Sequence, residues 1–142
     1  MGHHWWKQDG VEAPPARTVM RTNPAYVGEG ETLREVVERL AGTEAGEVPV
    51  LGPGGDVLGM LSQREVIAKV VVAGVDPSTV TARELATRAV VAISPNDRVN
   101  VALQKMHQHG VHHLPVIEHH QLVGMLTMGD IIDHIPGPGG TT

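Results

Sequence analysis

The run Gly110-Val-His-His-Leu-Pro-Val-Ile117, followed by Leu122-Val-Gly-Met-Leu-Thr-Met-Gly-Asp130, repeats a pattern written earlier in the chain. The first copy is Gly46-Glu-Val-Pro-Val-Leu51 followed by Val57-Leu-Gly-Met-Leu-Ser-Gln-Arg-Glu65. Leu33 and Val99, Leu40 and Met106, and Pro49 and Pro115 stand 66 residues apart, whereas Gly59 and Gly124, Ser62 and Thr127, and Glu65 and Asp130 stand 65 apart. One loop has therefore lost a residue while the register is otherwise kept. A chain of 142 residues buries about two-thirds of its unfolded surface, but a copy of about 55 residues is marginal alone. The two copies are thus expected to pack on each other with pseudo-two-fold symmetry and a shared cleft.

Within each copy the hydrophobic pattern predicts the order β-α-β-β-α, an α/β (α+β) fold. Extended segments over 25–27 and 90–93 lead into turns at Gly30 and at Pro95-Asn96, where Asn96 is the expected N-cap. Leu33, Val36, Val37 and Leu40, and then Val99, Ala102, Leu103 and Met106, recur at the i, i+3, i+4, i+7 spacing of a helix with one apolar stripe. Gly42 and Gly110 stand where C-caps belong. Short apolar strands follow over 48–51 and 57–61, and over 114–117 and 121–126, joined by a Gly-rich or a His-His loop. A second helix opens after Ser62 or Thr127, with Val66, Ile67, Val70 and Val71 in one copy and Ile131, Ile132 and Ile135 in the other. Thr81 is the expected cap of a further short turn over 82–86. The expected boundaries are a flexible leader over 1–15, repeats over 16–72 and 81–135, a linker over 73–80, and a flexible Pro/Gly tail over 136–142.

Composition narrows the function. Cysteine is absent, which excludes disulfides, thiolate zinc sites and cysteine nucleophiles. Sixteen acidic against 11 basic residues, a formal charge of −5, oppose binding of long polyanions such as DNA. With Trp5, Trp6 and Tyr26 as its whole aromatic set, the chain lacks the stacking platforms of single-strand binders. No apolar run approaches the roughly 18 residues of a membrane span, and no signal sequence opens the chain, so a cytoplasmic protein is expected. Ser-His-acid arrangements, a P-loop and Gly-x-Gly-x-x-Gly are missing, and Gly52-Pro-Gly-Gly55 reads as a hairpin loop. The expected class is a binding module, not an enzyme.

An apolar-Pro-apolar strand, a short loop, Gly-Met-Leu, and then Ser/Thr-x-x-acid opening a helix, all present twice, resemble the CBS domain pair, or Bateman module. The resemblance spans about Arg17 to Ile135 and extends to small, free-standing, stress-associated bacterial CBS proteins. It implies a regulatory module that binds AMP, ADP, ATP or S-adenosylmethionine between the repeats. It also implies a homodimer acting on a protein partner, with no required cofactor. The final acid of Ser/Thr-x-x-Asp is implied to accept from both ribose hydroxyls, a role suited to a carboxylate with two acceptor oxygens. Asp130 is that acid in the second copy. Thr127 is nominated as an N-cap or phosphate ligand, and the amides of Met128 and Gly129 as further anion donors.

The same resemblance nominates Met20, Asn23, Pro24, Ala25 and Gly46 as the adenine side of the Asp130 site, and the His112-His113 pair as phosphate contacts. In the first copy the counterparts are Ser62, Arg64 and Glu65, with Val90, Val91 and His112 opposite. Glu65 carries its carboxylate one methylene further out, and Glu47 stands where a phosphate contact would be, so the Asp130 site is the expected competent one. Two alternatives compete with a nucleotide sensor. One is a structural, dimerising pair with a decayed site. The other is a metal protein built on His107, His109, His112, His113, His119 and His120, although Gly110 interrupts the helical spacing that such ligands need.

Overall fold

A computed structural model describes residues 12–43 and 46–134; the expected tail, and the leader up to residue 11, lie outside the described residues. A 3-10 turn, Ala16–Thr18, is followed by β1 (Val27–Gly28), α1 (Leu33–Ala41), β2 (Glu47–Leu51), β3 (Val57–Ser62) and α2 (Gln63–Val66). A π-helical stretch, Ile67–Val72, continues α2. Then come α3 (Ala82–Leu85), α4 (Val99–His109), β4 (His113–Glu118), β5 (Gln121–Thr127) and α5 (Met128–Asp133). The fold is mixed α+β with the element pattern written twice.

Local chemistry accounts for most of the boundaries. Thr32 and Glu35 form a capping box at α1: the Thr32 amide donates to Glu35 Oε1 at 2.9 Å, and the Glu35 amide to Thr32 Oγ1 at 3.3 Å. The Thr32 amide and hydroxyl hold the Glu35 carboxyl below its ordinary value. Thr81 and Glu84 repeat the box at α3, as the sequence predicts for Thr81. Gly110 ends α4 in the left-handed conformation, φ 64°. The expected cap at Asn96 is not used. Helix α4 begins at Val99, so Arg98 is its N-cap, without a side-chain cap bond, and Asn96 lies two residues outside that position with its Oδ1 accepting from Arg17 Nη1 at 2.8 Å. The segment over 90–93 is not a strand either. Only Ile93 bridges, in parallel, to Val116, where the first copy forms the two-residue ladder Val27–Val50 and Gly28–Leu51.

The described residues form two compact units. One, the Glu65 unit, gathers 23–43, 46–90 and 117–122; the other, the Asp130 unit, gathers 12–22, 91–116 and 123–134. Repeat and unit are therefore different sets of residues. The 3-10 turn that opens the first repeat packs in the Asp130 unit, where Ala16 and Arg17 donate backbone bonds to Asp97 and Pro95 at 2.7 and 3.0 Å. Reciprocally, Ala82 and Arg83 donate to Glu31 and Glu29 in the Glu65 unit at 2.9 and 3.0 Å. Each core is then completed by the exchanged piece: Ala16 and Val19 sit among Met106, Leu114, Leu126 and Ile131, and Ala82 and Leu85 among Leu40, Val48 and Leu61. Burial of each such Leu, Ile or Val contributes about 1.5–3 kcal/mol. The β2–β3 ladder pairs Val48 with Leu61 and Val50 with Gly59, and β4 pairs with β5.

A second exchanged contact follows a few residues later. Arg21 and Met125 trade backbone hydrogen bonds of 2.8 and 3.0 Å, and Thr87 and Met60 trade bonds of 2.8 and 2.9 Å. Both crossings run over a glycine. A Cβ on Gly124 would lie 2.8 Å from the Arg21 carbonyl oxygen, and one on Gly59 would lie 2.7 Å from that of Thr87. Those oxygens are pinned by their own hydrogen bonds, so neither can yield. Gly124→Ala and Gly59→Ala are each expected to lower stability by about 1–3 kcal/mol, whereas Gly30→Ala, with nothing within 4 Å of the new Cβ, is expected to be neutral. Urea midpoints of the three variants check this.

The turn between β4 and β5 places two non-glycine residues at positive φ, His119 at 53° and His120 at 68°. Such a two-residue turn favours Asn-Gly, since left-handed backbone costs an L-residue about 1–2 kcal/mol. His120→Gly, alone or with His119→Asn, is expected to raise the thermal midpoint, and an unchanged or lower midpoint counts against strain in this turn.

Candidate functional site

The exchanged crossing in the Asp130 unit puts a cation beside the acid that the sequence singled out. Arg21 leaves the backbone where it pairs with Met125, and β5 runs on for two residues from there to Thr127. Thr127 then caps α5. Its Oγ1 accepts from the Asp130 amide at 3.0 Å, while its own amide donates to Asp130 Oδ2 at 3.3 Å. This capping box fixes the Asp130 carboxylate at the start of the helix, with 12% of the side chain exposed. Arg21 Nε donates to both carboxylate oxygens, at 3.0 Å to Oδ1 and 3.2 Å to Oδ2, from a side chain 58% exposed. In such an exposed pair solvent screens the attraction, and its contribution to stability is about 0–1 kcal/mol. The arrangement offers acceptor oxygens suited to a vicinal diol and a guanidinium suited to an anion.

Other predicted residues distribute as follows. Met20, Val91, His112, His113, Thr127, Met128, Gly129 and Asp130 belong to the Asp130 unit. Asn23, Pro24, Ala25, Gly46, Ser62, Arg64, Glu65 and Val90 belong to the Glu65 unit. Asn23 and Gly46 have positive φ, 55° and 69°, a conformation that Asn and Gly tolerate best. His112 is exposed, and His113 opens β4 half-buried. One expectation needs correction. The Met128 amide is not available to an anion, because it donates to the His112 carbonyl at 2.7 Å, while the Thr127 hydroxyl acts as the N-cap.

The Glu65 unit repeats the frame with different chemistry. The Gln63 amide donates to the Gly46 carbonyl at 3.3 Å, matching Met128 on His112. The longer Glu65 side chain turns back and takes a short hydrogen bond from the Ser62 hydroxyl, while the Glu65 amide donates to Ser62 Oγ at 3.4 Å. Thr87 stands where the other unit has Arg21, so no guanidinium enters by that crossing. A depression of about 40 Å³ in this unit, lined by Leu58, Arg83, Ala86 and Arg88, is far below the roughly 300 Å³ of a small-molecule pocket. Arg21 was missed by the sequence reading. Its signal was a cation next to the nominated Met20, at the position where the other copy has Thr87.

The CBS-domain family model matches residues 16–72 and 82–137. The chain belongs to the CBS-domain family. Hypoxic response protein 1 of Mycobacterium tuberculosis is 36% identical over 121 residues, 85% of each chain. The crystal structure of Hypoxic Response Protein I with two coordinated zinc ions has a TM-score of 0.79 at 36% identity, covering 87% of this chain and all of that one. A crystal structure of CBSX2 in complex with AMP shares the fold at 16% identity and a TM-score of 0.73, covering 84% of this chain and 93% of that one. The zinc ions belong to the relative. This chain has no cysteine, and among the described residues no three His, Asp or Glu side chains are grouped to hold a metal ion. Likewise, no helix among the described residues is long and apolar enough to cross a membrane.

The capping box carries the position of the candidate carboxylate. Thr127→Ala is expected to lower stability by about 0.5–2 kcal/mol, with Thr127→Ser retaining most of it, as read from chemical denaturation.

Proposed function

We propose that the protein is a regulatory, non-catalytic CBS module that binds an adenosine nucleotide through Asp130. The observation that carries this reading is the Asp130 carboxylate itself, oriented by Thr127 and adjoined by the Arg21 guanidinium. The carboxylate accepts from the two ribose hydroxyls, and cationic or donating groups meet the phosphate. Met20 provides apolar surface in the same unit, and its Sδ would lie 2.6 Å from a Cβ on Gly124. His112 and His113 are further phosphate contacts in this proposal, strongest in the protonated form, which donates from both ring nitrogens. The AMP-bound CBSX2 supports the reading at the level of a shared fold.

The Ser62 hydroxyl on Glu65 supports a single competent acid. For the Glu65 unit the proposal is therefore a scaffold role. Assembly as a homodimer acting on a protein partner completes the proposal, with family membership as its support. A ligand can switch such a module only if it binds two conformations with different affinity.

Thermal shift of the full chain with AMP, ADP, ATP, S-adenosylmethionine and NAD tests the reading. Stabilisation by at least one at millimolar concentration is expected, and none by any would leave the structural, dimerising module. Asp130→Ala removes charged hydrogen bonds of about 1.5–3 kcal/mol and is expected to weaken binding about 10–100-fold. Unchanged affinity in that variant would remove the ribose assignment.

A further inference from the structure

We propose that the end of α2 is a two-register switch, in which the Lys69 ammonium, bound to the last carbonyls of α3, holds the π-helical register and links the Thr87 crossing to an exposed apolar helix face. This inference goes beyond the nucleotide reading and does not depend on it, since every group it uses lies in the Glu65 unit.

Helix α2 keeps α geometry over four residues, Gln63–Val66, and then widens to π geometry over Ile67–Val72. The Ala73 amide accordingly donates to the Ala68 carbonyl, five residues back, at 2.9 Å, and the Val75 amide donates to the Lys69 carbonyl at 3.0 Å. A π stretch is rare and amounts to one extra residue wound into an α-helix. Since each residue turns a helix by about 100°, side chains in and beyond the stretch face directions that differ by up to about 100° between the two registers. Lys69 sits inside the stretch and ties the rarer register down. Its Nζ donates to the carbonyls of Glu84, Leu85 and Ala86 at 3.3, 3.0 and 3.4 Å. Those oxygens end α3, where the helix dipole favours a cation. The α register would turn Lys69 away from them.

Input and output sit at the two ends of this link. Ala86, whose carbonyl Lys69 holds, immediately precedes Thr87, the residue that trades hydrogen bonds with Met60 over Gly59. On the helix, Val66 and Val70 pack with Val75 against the core of the Glu65 unit, whereas Ile67, Val71 and Val72 stand 56%, 73% and 78% exposed. A shift of the crossing that withdraws the α3 carbonyls frees Lys69, and the relaxing helix turns Val71 and Val72 off their present face. At the counterpart position in the other unit, 65 residues on, His134 stays on its own helix, with Nδ1 2.9 Å from the Asp130 carbonyl oxygen.

Scalar couplings through hydrogen bonds, measured by NMR on the full chain, identify the acceptor of the Ala73 amide. Wild type is expected to show coupling to the Ala68 carbonyl. Lys69→Met keeps the apolar stem and removes the ammonium. In that variant the Ala73 amide is expected to couple to the carbonyl of position 69 instead, and the methyls of Val71 or Val72 to become less accessible to a dissolved paramagnetic agent. Lys69→Arg, which keeps a cation of longer reach, is expected to retain the wild-type acceptor. Gly59→Ala, which drives a Cβ into the Thr87 carbonyl, is expected to give the Lys69→Met pattern. Gly124→Ala, the same disturbance at the Arg21 crossing, is expected to leave Ala73 on Ala68. An Ala73 amide still bonded to Ala68 in Lys69→Met overturns the proposal. No shift in Gly59→Ala, or an equal shift in Gly124→Ala, overturns the link to the crossing. Melting curves identify the variants that fold, and Lys69→Met, made on a half-buried side chain outside the core cluster, decides the register claim even where Gly59→Ala does not fold.

Discussion

Two backbone carbonyls, those of Arg21 and Thr87, lie so close over Gly124 and Gly59 that no side chain fits beneath them. Much of the molecule's organisation follows from these two crossings. Each takes the chain segment that leads into one repeat and hydrogen-bonds it to the Gly-Met-Leu strand of the other, Arg21 to Met125 and Thr87 to Met60. The one-turn helices just before the crossings are thereby placed in the partner core, with Ala16 and Val19 on one side and Ala82 and Leu85 on the other. Neither sequence repeat contains its own complete core. The marginal size of a copy of about 55 residues is met by exchange as well as by adding apolar area. Glycine at these positions is a steric requirement of the exchange.

Much of the scaffold was legible because the two copies report on each other. Leu40 and Met106, Val48 and Leu114, and Leu61 and Leu126 are all buried at matched positions, as their shared offsets and apolar character predict. Ser62 and Thr127 cap the helices they precede, since Ser/Thr followed three residues later by an acid is a local signal that needs no tertiary context. What the sequence concealed was non-local. Periodicity identifies a helix or a strand but not the unit in which it packs, so the exchange of 12–22 and 81–90 could not be read from it. Asn96 has the chemistry of an N-cap, yet α4 begins at Val99, and the Asn96 oxygen accepts from the guanidinium of Arg17, 79 residues away. The second copy keeps only the single bridge Ile93–Val116 where the first forms two parallel pairs.

The candidate site divides in the same way. Asp130 and Thr127 belong to a contiguous motif, which is why the sequence nominates them and predicts the cap that Thr127 forms. Arg21 lies 109 residues from its carboxylate, and no spacing rule links them. A comparison of the crossings would have exposed it, because position 21 is a cation where position 87 is a threonine. Duplication is thus informative at matched positions for structure and at mismatched positions for chemistry. One added methylene lets Glu65 reach back to Ser62, whereas the shorter Asp130 holds the amide of its own N-cap and remains open to Arg21.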